Sequence, residues 1–117
     1  MSYVIYHNPR CSKSRQALAL LKERQVDVEV VEYLKTPPTA AELLNLCQLL
    51  QKSPRDVTRT KEALYKELSL VQKSDLTDTQ WAEILAANPK LIERPIVVFA
   101  DKAVVGRPPE NVLSLLS

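Results

Sequence analysis

The amino-acid sequence predicts an α/β protein built on a four-stranded mixed β-sheet with helices on both faces. Three observations lead to this fold class: a β-α-β pattern at the start of the chain, a helical middle section and a β-β-α pattern at the end. The 117 residues are 45% hydrophobic and 26% charged, as in ordinary globular proteins that bury one core. We therefore expect residues 1–117 to form a single domain.

The first three elements follow from changes in hydrophobic periodicity. Residues 4–6 are a short β-favouring run that stops at the turn signal His-Asn-Pro at 7–9. Apolar residues then recur on one helical face between 17 and 21. A valine-rich run at 27–33 completes a β-α-β unit.

The middle of the chain, approximately 39–88, predicts a helical insert. Capping boxes stand at 39–42 (Thr-x-x-Glu) and 77–80 (Thr-x-x-Gln), and each precedes apolar residues at helical spacing. A Ser-Pro pair at 53–54 is typical of a further helix start. Asn-Pro at 88–89 should end the last helix of the insert.

The end of the chain predicts a β-hairpin and a last helix. Residues 95–99 are strongly β-favouring, and 103–105 pair back after a short turn. Gly106, the only glycine in the chain, ends the hairpin, and two prolines precede the last helix. This order of elements resembles the thioredoxin-like topology, in which two parallel strands and an antiparallel hairpin share one sheet.

Composition excludes several classes of function. A net charge of +2 gives no argument for a nucleic-acid or membrane partner. The sequence has no apolar run of transmembrane length, and its first residues lack the pattern of a signal peptide, so we expect a cytoplasmic protein. One histidine and two cysteines make a poor metal site, and we expect none. No coiled-coil pattern is present, so we expect a monomer.

Cys11 is the candidate nucleophile because it stands between a predicted strand and a predicted helix. The free N–H groups and positive dipole of a helix N-terminus stabilise a thiolate, which is the reactive form of cysteine. Cations nearby lower the thiol pKa further, and hydroxyls can donate to the sulfur. The polar neighbours of Cys11 in sequence are His7, Arg10, Ser12, Lys13, Ser14 and Arg15.

The spacing around Cys11 also excludes two mechanisms. A phosphatase-type loop needs an arginine six residues after its cysteine, where this chain has Ala17. Cys11-x-x-Ser14 carries no second thiol for a dithiol cycle. Cys47 stands at an apolar helical position among leucines, so we expect it in a core.

Three segments resemble the glutaredoxin-dependent arsenate reductases of the ArsC type, closest to a YfgD-like sub-branch. They are 7–15 (HNPRCSKSR), 91–98 (LIERPIVV) and 106–110 (GRPPE), and 33–38 and 64–68 are also similar. The segments occur in order and span nearly the whole chain. Together they form a specific signal for an oxidoreductase with this thioredoxin-like fold.

The resemblance implies a mechanism and a set of site residues. Cys11 would attack arsenate to give a thiol–arsenic adduct, with glutathione as co-substrate, glutaredoxin as partner and no bound cofactor. His7 and Ser14 match residues that support the thiolate. The residues that match the oxyanion-binding arginines of the family are Arg59, Arg94 and Arg107.

The hairpin offers a physical reason for two of these arginines. Arg94 precedes its first strand and Arg107 follows its second, so antiparallel pairing would bring them together. A planar guanidinium donates two parallel hydrogen bonds to a tetrahedral oxyanion. Arg94-Pro95 also has the place of the family's cis-proline turn.

Two alternatives remain open. One is a glutathione-linked thiol oxidoreductase that acts on another substrate such as a mixed disulfide, which would use Cys11 but would not need all three arginines. The other is an Spx-like regulator that binds RNA polymerase, a class in which many members carry a Cys-x-x-Cys switch. Arg10 and the Ser12-Lys13 pair depart from the best-known arsenate reductases and make the loop more basic, which bears on the substrate.

Overall fold

The computed structural model describes residues 2–70 and 75–116. It divides into two compact units, one formed by Met1–Thr36 with Arg94–Ser117 and the other by Pro37–Glu93. Within the described residues, no helix combines the length and the apolar character needed to cross a bilayer. That the whole chain forms one domain stays a prediction.

The first unit contains the four strands found among the described residues. Its elements are β1 (Tyr3–His7), α1 (Ser12–Glu23), β2 (Val28–Glu32), β3 (Ile96–Phe99), β4 (Lys102–Val105) and a 3₁₀-helix (Pro109–Leu115). The strand order is β2-β1-β3-β4, with β1 parallel to β2 and antiparallel to β3, and with β3 antiparallel to β4. The predicted four-stranded mixed sheet is confirmed.

The core of this unit lies between one sheet face and α1. Alternate residues of β1 are buried, and Ile5 stands opposite Val97 of β3. From α1, Ala17 and Leu21 contribute side chains with no exposed surface. Burying a side chain of leucine size stabilises the fold by about 1.5–3 kcal/mol. The buried cluster is completed by Tyr3, Val112 and Leu115.

The second unit is helical, with α2 (Ala40–Leu50), α3 (Ala63–Glu67), α4 (Asp78–Ala87) and two short 3₁₀-helices (Pro54–Val57 and Pro89–Leu91). Both predicted capping boxes are present. At the start of α2, the Glu42 N–H donates to Thr39 Oγ1 over 3.1 Å, and the Thr39 N–H donates to Glu42 Oε1 over 3.0 Å.

The last helix differs from the expectation because it is a 3₁₀-helix rather than an α-helix. Its three buried residues, Pro109, Val112 and Leu115, recur every three positions. A 3₁₀-helix has three residues per turn, so this spacing places all three on one side. The 3₁₀ form therefore places Val112 and Leu115 in the buried cluster with residues of α1 and the sheet.

Candidate active site

The candidate site lies at one end of the strands in the first unit. β1 ends at His7, and the register pairs Tyr6 with Ile96 and Ile96 with Val105. The loop after β1, the residues before β3 and the residues after β4 therefore share one end of the sheet. The predicted approach of the two hairpin ends that carry Arg94 and Arg107 is confirmed for the backbone.

Gly106 holds the two ends of the hairpin together. Its N–H donates to the Pro95 carbonyl over 2.8 Å. A Cβ at this position would lie 2.8 Å from Pro95 Cγ and 3.2 Å from Val112 Cγ1, so a larger residue would displace the proline. The Arg94-Pro95 peptide bond is cis, as is the Arg107-Pro108 bond. The close approach needs glycine and places Arg94 beside the loop that carries Cys11.

Cys11 is the N-cap residue of α1. Its backbone is extended (φ −96°, ψ 122°), and its carbonyl accepts from the Arg15 N–H over 3.0 Å. The Cys11 N–H donates to the Asn8 carbonyl, also over 3.0 Å. The residue is 9% exposed, and its side chain makes no conventional capping hydrogen bond. The thiol thus stands where a capping oxygen usually meets the free N–H groups of the first turn.

The surroundings of the thiol favour its charged form. Burial by itself raises the pKa of Cys11, but the backbone N–H of Ser14 and the charge of Arg94 oppose it. A hydrogen bond from the Arg94 side chain and the backbone N–H of Lys13 act in the same direction. The net effect lowers the pKa of Cys11 below its ordinary value of 9.0, so the thiolate is more populated at neutral pH.

Ser14 connects Cys11 to a buried histidine. Ser14 Oγ lies 2.6 Å from His7 Nδ1 and accepts from the Asn8 N–H over 3.0 Å. Both Ser14 and His7 are buried, because β1 and α1 turn them toward the same layer. We expected the Ser14 hydroxyl to be able to donate to the sulfur. Instead, its hydroxyl bonds His7 and Asn8, and its backbone N–H acts on the sulfur.

His7 is held closer to its neutral form than a free histidine. Burial lowers the pKa of His7 most, the charge of Glu32 raises it, and those of Lys22 and Arg15 lower it, leaving a pKa below 6.5. The contact between His7 and Ser14 is short and buried. His7 contacts Ser14, whose backbone N–H acts on the Cys11 sulfur, and the thiolate-supporting role of His7 stays a prediction.

Arg94 presents two unused donors beside Cys11. Its Nε and Nη1 atoms are buried and have no hydrogen-bond partner among the described residues. Buried guanidinium donors without partners are costly and rare, and they indicate a missing acceptor. A tetrahedral oxyanion supplies negatively charged acceptor oxygens for donors of this kind. The Arg94 side chain can thus hold an anion while it stabilises the thiolate.

The other two predicted arginines differ from Arg94. Arg107 is exposed, and its carbonyl accepts a hydrogen bond from Asn111 Nδ2 over 3.2 Å. Within residues 2–70 and 75–116, its guanidinium has no hydrogen bond or ion pair. Arg59 belongs to the second unit, where its Nη1 lies 3.0 Å from Glu62 Oε2 and donates weakly to the Lys90 carbonyl over 3.5 Å. The structure joins His7, Cys11, Ser14 and Arg94 by direct interactions. The oxyanion roles of Arg59 and Arg107 stay predictions.

Sequence reasoning assigned no role to Asn8, which organises the loop. Its N–H donates to Ser14 Oγ, its carbonyl accepts from the Cys11 N–H, and its Oδ1 accepts from the Arg10 N–H over 3.0 Å. An asparagine that bonds the backbone two residues ahead is a common turn device. The Asn-Pro pair in the sequence was the available signal, and we used it only to predict a turn.

Cys47 lies in a different environment. It is 3% exposed in α2, which confirms the predicted burial. Burial, followed by the negative charges of Asp78 and Asp56, raises its pKa to about 11. This thiol is therefore neutral at physiological pH and unsuited to nucleophilic attack.

Comparison with known proteins gives a consistent result. The model of the ArsC family matches residues 6–115. The chain is 54% identical over 113 residues to the protein YfgD of Escherichia coli (strain K12), covering 96% of this chain and 94% of that protein. It is 49% identical over 113 residues to an arsenate reductase of Neisseria meningitidis serogroup A, covering 96% of each chain.

The fold has the same relatives. A solved structure of an arsenate reductase from Vibrio cholerae matches with a TM-score of 0.92 and 51% sequence identity, covering 97% of each chain. The sheet topology, the loop between β1 and α1 and these matches agree on one assignment. The chain belongs to the ArsC family and has its thioredoxin-like fold.

Proposed function

We propose that this protein is an arsenate reductase that uses Cys11 as its nucleophile and glutathione and glutaredoxin as reductants. The names of its relatives support arsenate as the substrate. The observation that carries the proposal is the pairing of a thiol of lowered pKa with the buried, unpartnered Nε and Nη1 of Arg94. A nucleophile and a guanidinium with unpartnered donors then lie side by side.

Arg94 would reduce the electrostatic repulsion between the Cys11 thiolate and arsenate in the first step. A thiolate and arsenate are both negative, so they repel each other unless a fixed cation lies between them. Arg94 would donate to arsenate oxygen and hold the arsenic near the Cys11 sulfur, and Arg107 would supply further positive charge. The sulfur attacks arsenic, one arsenic–oxygen bond breaks, and that oxygen leaves as water after protonation.

The reduction then needs two electrons from thiols outside the chain. Glutathione displaces a second oxygen from the adduct, which leaves as water, and a glutaredoxin thiolate attacks the glutathione sulfur. The glutathione–glutaredoxin disulfide forms, arsenic falls from the pentavalent to the trivalent state, and hydrolysis of the remaining sulfur–arsenic bond releases arsenite. Cys11 returns as a thiol, so no second cysteine of this chain is required. The free thiols of this scheme need a reducing compartment, and we propose the cytoplasm.

The primary test is NADPH oxidation coupled through glutathione reductase, with arsenate, glutathione and glutaredoxin. Cys11→Ser should abolish arsenate-dependent turnover, because serine is a far weaker nucleophile in this place. Cys47→Ser is the matched control and should retain activity. Turnover that survives in a folded Cys11→Ser protein would refute the proposal, and loss in Cys47→Ser would indicate an internal disulfide step.

A glutathione-linked oxidoreductase remains the second candidate, because a thiol of lowered pKa suffices for disulfide exchange. Arg94→Gln and Arg107→Gln separate the two functions. For an arsenate reductase, both variants should lose arsenate turnover by a larger factor than they lose exchange with 2-hydroxyethyl disulfide. Equal losses in the two assays would favour the oxidoreductase.

A further inference from the structure

The loop around Cys11 carries two cations that the proposed chemistry does not use. Arg10 and Lys13 are both exposed, and neither side chain has a hydrogen bond or ion pair within the part of the chain that the structure describes. They flank Cys11 at one residue before it and two residues after it. The first acidic residue of the sequence is Glu23, so the loop and most of α1 lack a nearby counter-charge in sequence.

The backbone that holds these cations is firmly braced. The Arg10 N–H donates to Asn8 Oδ1 over 3.0 Å, and Arg15 Nη1 donates to the Pro9 carbonyl over 2.8 Å. Lys13 lies in the first turn of α1, and its N–H faces the Cys11 sulfur. Two side-chain cations therefore start from fixed points on either side of the thiol. Because the backbone is already ordered, binding an anionic ligand restricts only the two side chains.

We propose that Arg10 and Lys13 form a binding subsite for the two carboxylates of glutathione, positioning its sulfur at Cys11. This inference rests on the proposed function, since it names the groups that receive the thiol co-substrate. Glutathione carries a carboxylate at each end and its thiol between them. One cation before Cys11 and one after it in sequence fit that arrangement, because the sulfur must reach the reacting centre while both ends stay outside.

The subsite can be tested without arsenate by thiol–disulfide exchange. The Cys11 thiolate attacks one sulfur of oxidised glutathione, a Cys11–glutathione disulfide forms, and glutathione leaves as a thiolate, so that electrons and atoms balance. The rate is compared with that of 2-hydroxyethyl disulfide, which has no carboxylate. The ratio of the two rates cancels any change in the thiolate population of Cys11.

Arg10→Gln and Lys13→Gln should each lower this rate ratio by about two- to fivefold at low ionic strength, the range of exposed ion pairs. The double variant should lower it by about tenfold, and 1 M salt should remove the difference. Arg24→Gln is the matched control, since it deletes an equal charge at the far end of α1 and should leave the ratio unchanged.

Two results would overturn the subsite. An unchanged ratio in the double variant would exclude it. An equal drop in Arg24→Gln would reduce the effect to the overall charge of the protein. The exchange assays contain no arsenate, so they can support or refute the glutathione subsite even if the protein does not reduce arsenate. Likewise, loss of the subsite would not refute arsenate reduction.

Discussion

The two cysteines of this protein are both buried, yet their surroundings shift the pKa values of their thiols in opposite directions. Cys11 is 9% exposed and has a lowered pKa, whereas Cys47 is 3% exposed and its pKa is raised to about 11. Burial opposes ionisation at both sites. The difference comes from what faces the sulfur: helix N-terminal amides and Arg94 at Cys11, and the charges of Asp56 and Asp78 at Cys47.

Reactivity is therefore set by the direction of local dipoles and charges rather than by depth. Cys11 begins α1, where N–H groups point outward without partners. Cys47 lies inside α2, where the N–H groups of the backbone are used by the helix itself. A thiol inside a helix, such as that of Cys47, therefore has no free backbone N–H to stabilise its negative charge. The same residue type is thus a candidate nucleophile in one helix and a packing residue in the other.

The largest expected effect is the difference in alkylation rate between the two thiols. The pKa of Cys11 lies below 9.0 and that of Cys47 is about 11, so the two differ by at least about two units. At pH 7, the thiolate fraction of Cys11 should therefore exceed that of Cys47 by at least about a hundredfold. Iodoacetamide with mass spectrometry of the folded protein measures this directly. Comparable labelling of both cysteines would contradict the comparison.

A second test uses the dependence of stability on pH. The folded-state pKa of Cys47 lies above its ordinary value of 9.0, so its contribution to stability is complete below pH 9 and is lost as pH rises to about 11. The loss should reach at most about 3 kcal/mol. Chemical denaturation of wild type and Cys47→Ala across this range should show the difference between them shrinking as pH rises. A constant difference would mean that Cys47 does not titrate abnormally.

Arg94→Gln should reduce the difference in alkylation rate between the two cysteines by slowing the reaction of Cys11. Removing the charge and the donated hydrogen bond raises the pKa of Cys11, so its alkylation at pH 7 should slow by about tenfold. Cys47 should not respond. Arg24→Gln serves as the control for charge alone, and an equal slowing in that variant would count against a local role of Arg94.

The smallest expected effect comes from Gly106→Ala. The added Cβ would lie 2.8 Å from Pro95 Cγ, so the proline must move, at a cost in unfolding free energy of about 1 kcal/mol. Pro95 follows Arg94, so Cys11 should also be alkylated more slowly, by less than in Arg94→Gln. Thermal unfolding and iodoacetamide labelling measure the two effects. Unchanged stability would show that the hairpin end tolerates a side chain.

Much of the first unit could be predicted because its signals are local. Strand periodicity, the turn at Asn8 and Pro9, and the single glycine at 106 each follow from short-range steric rules. Those rules predicted the order of elements and placed Cys11 at a helix N-terminus. The last helix was less predictable, because its 3₁₀ form depends on packing Val112 and Leu115 against α1.

The sequence by itself determined the fold class, the candidate nucleophile and the basic character of its loop, because periodicity and neighbouring residues are visible along the chain. Only the tertiary structure decided that Ser14 acts through its N–H while its hydroxyl holds His7, and that Nε and Nη1 of Arg94 lie buried without partners beside Cys11. Those facts depend on the register between β1 and β3 and on the packing of α1 on the sheet. Contacts between residues distant in sequence arise from packing, which no local pattern encodes.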